Sequence, residues 1–234
     1  MKYRLIYQII SVMSESNEII ECPVGETNCR WIEEVRSLRQ QVEELSNLAL
    51  TDALTGLYNF RHFKTVLQAE MDRSKRSGVP ISLVMIDLDN FKTVNDSYGH
   101  EVGNQVLKHV AEILTDELRT TDVVCRYGGE EFVVIFPGTD LNLAVKVADR
   151  IRQTIADTPV TCEAGELYVT VSMGASVYMK LSILSLEEFV DSVDKYLYEA
   201  KKLGRNCVCH IDYNDLRAVT EVGFDERAML LGDD

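Results

Sequence analysis

The sequence predicts an α/β sandwich (α+β in character): a central, mostly antiparallel sheet with helices packed over it, preceded by an N-terminal helical stalk. Three observations carry this. Short apolar, β-rich runs alternate along the chain with amphipathic stretches of helical period. Two of those runs meet at Gly128-Gly129, which reads as a hairpin and brings antiparallel pairing into the sheet. The 234 residues are enough for one domain of about 160 residues with a good core, plus extensions.

Residues 1–50 read as helix, turn, helix. In Tyr3–Met13, the side chains of Leu5, Ile6, Ile9, Val12 and Met13 fall near one helical face. The basic start and short apolar stretch raise the question of a secretory signal. Gln8 interrupts the apolar region and no small-residue cleavage site follows, so an amphipathic or docking helix is expected instead. Cys22-Pro23-Val24-Gly25 breaks that helix. Trp31, Val35, Leu38, Val42, Leu45 and Ala49 then recur at spacings of four and three, a short heptad seam running into Thr51-Asp52. A surface helix packed on its own domain would show the same stripe.

Residues 51–211 carry the domain. Helices are expected near 60–77, 102–118, 140–156 and 186–203, and strands near 81–87, 122–127, 131–136, 160–163, 167–179 and 207–211. Residues 212–234 lack strong periodicity, are rich in Asp and Glu, and read as an acidic tail. No apolar run reaches the roughly 18 residues that span a bilayer. A net charge of −14 argues against broad nucleic-acid or anionic-membrane binding. The six cysteines show no secreted framework; Cys22 and Cys29 bracket a turn and read as incidental thiols, so a cytoplasmic location is expected.

Two carboxylate clusters stand out. The run Arg126-Tyr127-Gly128-Gly129-Glu130-Glu131-Phe132 puts adjacent acids at a glycine turn, where the missing Cβ atoms let backbone approach a ligand closely. Ile81–Asp89 reads ISLVMIDLD, an apolar strand ending in Asp87-Leu88-Asp89. Buried acids at a strand end are costly unless a partner such as a metal offsets them; Asp89 also reads as an N-cap for the helix that follows. Oxygen donors of this kind suit Mg²⁺ shared with phosphates. Lys92, Lys201 and Arg205 are the cations available for phosphate in this acidic chain. The last two lie four apart near an expected helix end, with Gly204 as its cap.

These residues resemble the GGDEF family, the diguanylate cyclases, in its GGEEF form. RYGGEEF at 126–132 looks like the family's central motif. DALTGLYN at 52–59, DLDNFK at 87–92, VTVSMGA at 169–175 and KKLGRN at 201–206 agree with other family segments in order and spacing. The resemblance covers roughly residues 50–211 and implies the palm-like fold of nucleotidyl cyclases.

The resemblance also implies a reaction: condensation of two GTP molecules into cyclic di-GMP with release of two pyrophosphates, using Mg²⁺ or Mn²⁺. By position, Asp87, Glu130 and the Leu88 carbonyl match metal ligands. Glu131 matches a residue that assists a second metal or accepts the hydroxyl proton. Lys92, Lys201 and Arg205 match phosphate contacts, while Gly128 and Gly129 bring backbone near the nucleotide. Asn95 and Asn104 match guanine-reading positions. The usual residue at the second is Asp, and Asn offers only one acceptor oxygen, which narrows the margin for guanine. Arg119 and Asp122 match the RxxD inhibitory site for cyclic di-GMP, with Arg150 as a secondary contact from a neighbouring domain. The family further implies a homodimer held by the stalk, with a regulatory protein docking on it, as in short stand-alone members. A catalytically degenerate cyclic di-GMP receptor and a partner-docking scaffold are the alternatives.

Overall fold

The computed structural model describes residues 34–38, 41, 50–163 and 165–211. Residues 34–38 are helical. The expected helix at 3–13, the break at 22–25, Cys22 and Cys29, most of the heptad seam and the tail at 212–234 lie outside the described residues. By internal packing the chain divides into Met1–Ala49 and Leu50–Asp234.

The second unit runs β1 (Tyr58–Asn59), α1 (Phe60–Ser77), β2 (Ile81–Leu88), α2 (Phe91–Tyr98), α3 (His100–Glu117), β3 (Val123–Gly128), β4 (Glu131–Pro137), α4 (Leu141–Asp157), β5 (Val160–Cys162), β6 (Gly165–Leu167), β7 (Val171–Tyr178), α5 (Leu186–Lys202) and β8 (Val208–His210). Six strands form one sheet in the order β1-β3-β4-β2-β7-β8, and β5 with β6 forms a separate hairpin. The central pairs are antiparallel. The edge pairs β1–β3 and β7–β8 are parallel, so the sheet is mixed.

Strand periodicity sorts the core into two layers. Ile81, Leu83 and Met85 join Phe63, Leu67 and Met71 of α1 and Phe189, Val193 and Leu197 of α5. Val84, Ile86 and Leu88 join Val106, Val110 and Leu114 of α3 and Ala144, Ala148 and Ile151 of α4 on the other face. Asp87 continues the first series, so its side chain belongs to the α1/α5 face of the sheet. Three of the described helices start at side-chain caps. Asn59 and Asp140 cap α1 and α4, and Ser185 with Glu188 forms a capping box on α5.

One expectation changes, and two short elements were not expected. The single strand expected at 167–179 is divided: residues 165–167 pair with β5, and β7 begins only at Val171. Thr170 leaves the ladder because its carbonyl and hydroxyl both turn to Asp89. The polar helix α2, with only Phe91 buried, has too little apolar signal to read from sequence. Strand β1 is two residues long, too short to alternate.

Candidate functional site

Three sheet ends converge at one edge. Strand β2 delivers Asp87, and its register partners are Glu131 on β4 and Ser172 on β7. Asp87 and Glu131 are therefore cross-strand neighbours, an arrangement that is unfavourable for like charges. Glu130 occupies the β3–β4 turn, and its backbone carbonyl accepts from Leu88 N–H at 3.3 Å. The turn follows a bulge between Arg126 and Gly128. A Cβ on Gly128 would lie 3.3 Å from Glu131 Oε2, and one on Gly129 would meet nothing within 4 Å. Open space thus lies over Gly129.

Electrostatics at this edge are strained in one direction. Burial pushes the Asp87 carboxyl up; Lys201 pulls it back, and Glu130 and Asp89 push it further. Glu131 is likewise raised by burial and by the charge of Asp87, with Lys201 opposing. Asp87 is only 7 % exposed, and Lys201 Nζ lies 2.9 Å from its Oδ2. The Lys201 ammonium alone leaves the carboxylates of Asp87, Glu130 and Glu131 short of positive charge. Among the described residues no group of three or more His, Cys, Asp or Glu side chains stands ready to hold a metal. The available donors, Asp87, Glu130, Glu131 and backbone carbonyls, are all oxygen, which fits a hard cation completed by phosphate and water.

The remaining residues lie around this edge. Lys92 is exposed in the first turn of α2. Asn95 on α2 packs over Gly103 of α3, where any Cβ would collide with its side-chain oxygen. The neighbouring Asn104 is half-buried on α3. His100 opens α3, and His109 contacts the Thr158 carbonyl at 3.3 Å. Arg205 corrects the helical-face argument. Helix α5 ends at Lys202, and Gly204, Arg205 and Asn206 follow with φ of 112°, 67° and 46°. Helical spacing therefore does not relate Arg205 to Lys201. Gly204 does occupy the position past the cap, and Arg205 N–H closes the end on the Ala200 carbonyl at 3.1 Å.

Asp89 is not the N-cap of α2. Asn90 holds that place with φ 56° and no side-chain cap bond. Arg119 and Asp122 bond each other, Arg119 N–H donating to the Asp122 side-chain Oδ2 at 3.1 Å and Asp122 N–H to the Arg119 carbonyl at 3.0 Å. Arg150 lies 2.7 Å from Glu117 of its own chain, two residues from Arg119.

Sequence reasoning missed Arg126. Its guanidinium donates to both Asp52 oxygens at 3.0 and 3.1 Å and to the Gly129 carbonyl at 2.7 and 3.1 Å. Asp52 also accepts from Thr55, and these contacts hold its carboxyl below its ordinary value against burial. One side chain thus ties the 52–57 loop to the glycine turn. The signal available was an Arg beside a glycine turn with an Asp at the domain entrance, 74 residues away.

A family model described as "Diguanylate cyclase, GGDEF domain" matches residues 49–207. The chain belongs to the GGDEF family. The response regulator PleD of Caulobacter vibrioides is 40% identical over 173 residues, covering 73% of this chain and 38% of PleD. Diguanylate cyclase A of Treponema denticola is 38% identical over 168 residues, covering 70% of this chain and 45% of that protein. The chain thus spans under half the length of these relatives. Among solved structures, the coiled coil and GGDEF domain of DgcB from Caulobacter crescentus, in complex with c-di-GMP, matches with a TM-score of 0.72 and 29% identity, covering 76% of this chain and 94% of that one. SiaD from Pseudomonas aeruginosa, in complex with its activator SiaC, matches with a TM-score of 0.69 and 30% identity, covering 90% of this chain and 73% of SiaD. No helix among the described residues of this GGDEF chain is long and apolar enough to cross a membrane.

Proposed function

We propose that this chain is a diguanylate cyclase, joining two GTP molecules into cyclic di-GMP with loss of two pyrophosphates. The observation that carries the reading is the cation-deficient pair of buried Asp87 and half-buried Glu131, with Glu130 at the adjoining turn and Lys201 against Asp87. Asp87, Glu130 and the Leu88 carbonyl would hold Mg²⁺ or Mn²⁺, with Glu131 assisting. Such an ion, when bound, offsets phosphate charge and polarises the α-phosphate. The chain's own part is placement. Lys92, Lys201 and Arg205 bind the β- and γ-phosphates. Asn95 and Asn104 read guanine. The open space over Gly129 admits the triphosphate against backbone. Glu131, whose proton affinity is raised, is suited to accept the 3′-hydroxyl proton.

Each domain brings one GTP, so two must face each other, and positioning sets the rate. Residues 1–50 serve as the pairing stalk and as a docking surface for a regulatory protein; residues 51–211 form the cyclase domain and 212–234 an acidic tail. The match to SiaD, which was solved with an activator protein, supports the docking part. Arg119 and Asp122 form a product-inhibition site, with Arg150 as a secondary contact from a neighbouring domain; the match to DgcB bound to c-di-GMP supports a product site on this fold. The chain acts in the cytoplasm, where GTP is found. Turnover of GTP with Mg²⁺ tests this: Glu130→Ala is expected to lower the rate by about 10²-fold or more. Equal rates in the two proteins would refute the role of the turn.

A further inference from the structure

Asp89 is buried at 7 % exposure and sits two residues past a proposed metal ligand, yet both of its oxygens are already taken. Oδ1 accepts from Ser172 Oγ at 2.6 Å. Oδ2 accepts from Thr170 Oγ1 at 2.7 Å and from the backbone N–H of Asn206 at 3.0 Å. The Asp89 N–H donates to the Thr170 carbonyl at 2.9 Å. Asn206 is the last of three successive residues with left-handed φ, two of them not glycine. Side chains with a Cβ rarely take that conformation, and it persists only where surrounding contacts impose it. Here the contacts are visible on both sides. Asp89 holds the Asn206 backbone from the residue just past β2, and Arg152 of α4 donates to Asn206 Oδ1 at 2.8 Å while also binding Asp149 at 2.8 Å.

We propose that Asp89 and Arg152 are positioning residues for triphosphate recognition, fixing the 204–206 turn so that Arg205 is aimed at the same strand end as Asp87. The inference rests on the cyclase reading of Arg205 and Lys201. The contacts supply its geometry. Asp89 belongs to the strand end that carries Asp87, so the metal-side carboxylate and the phosphate-side turn share one anchor. Arg152 reaches the turn from the opposite sheet face to α5, the helix that supplies Lys201. Neither Asp89 nor Arg152 needs to touch nucleotide.

The test is equilibrium binding of the full chain to 3′-deoxy-GTP, which lacks the attacking hydroxyl, and to GMP, with Mg²⁺ present. Wild type is expected to prefer the triphosphate. Arg152→Gln leaves β2 untouched and is expected to weaken 3′-deoxy-GTP about tenfold with GMP affinity unchanged, and Arg152→Lys to restore part of the loss. Asp89→Asn is expected to act in the same direction. A folded Arg152→Gln that keeps the full triphosphate preference overturns the proposal, as does a parallel loss of both ligands, which marks a merely structural role. A wild type with no triphosphate preference instead overturns the cyclase reading itself, and the proposal with it.

Discussion

Asp87 and Glu131 share a rung of the sheet, and burial raises the proton affinity of both. A carboxyl whose folded pKa lies above its unfolded value stabilises the fold when protonated. That contribution is complete below the unfolded pKa, near 4, and is lost as pH rises through the folded one. Metal-free protein should therefore lose stability as pH climbs through the range just above ordinary carboxylates. Mg²⁺ favours the ionised forms, so its stabilising effect should grow over that same range. Thermal unfolding with and without Mg²⁺ across pH measures this, and Asp87→Asn should flatten the difference; a metal effect independent of pH would contradict it. Arg126 gives a second prediction at this scale. Arg126→Gln removes both grips on Asp52 and Gly129, with an expected cost of about 1–3 kcal/mol in urea unfolding and about tenfold in turnover. Unchanged turnover would mean the turn holds its place without it. The acids at strand ends and at a glycine turn were legible because buried charge is conspicuous in an apolar run. Arg126 and the partners of Asp89 were not, because their contacts bridge 74 residues in one case and 117 in the other.

At the level of elements, β7 and α5 approach so closely that Gly174 is required. A Cβ there would lie within 2.9 Å of the Leu197 Cα and closer still to the α5 backbone. Helix backbone cannot yield as a side chain can. Gly174→Ala is expected to cost about 1–3 kcal/mol, at the upper end of that range, measured by denaturant unfolding. A loss under about 0.5 kcal/mol would show that α5 shifts freely, which the pairing of Lys201 with Asp87 argues against. The long helices were readable from periodicity and caps, since each presents one apolar stripe to the sheet. Helix α2 escaped because its buried face is a single Phe91, and the boundary of β7 escaped because Thr170 is drawn out of the ladder by Asp89. Both misreadings sit beside the candidate site, where local pattern yields to contacts from elsewhere in the chain.

The whole molecule carries an excess of negative charge, and the proposed triphosphate site collects Lys92, Lys201 and Arg205 against that field. The mixed character of the sheet was only half legible, since a parallel edge pair leaves no turn in the sequence to announce it. Regulation belongs to this scale. If Arg119 and Asp122 hold the product, Arg119→Ala should raise the cyclic di-GMP concentration needed for half-inhibition about tenfold or more while leaving the initial rate near wild type. Unchanged inhibition would remove that site from control. The proposed reaction turns two GTP molecules into one cyclic dinucleotide. Its most direct measurement is a time course with GTP and Mg²⁺, at protein concentrations where the chain is shown to be dimeric, resolving nucleotides by chromatography and counting pyrophosphate. Expected is cyclic di-GMP with two pyrophosphates per product, both formed about 10²-fold or more slower by Glu130→Ala. GTP left intact by the dimeric wild type, or consumed to GDP and phosphate, would contradict it.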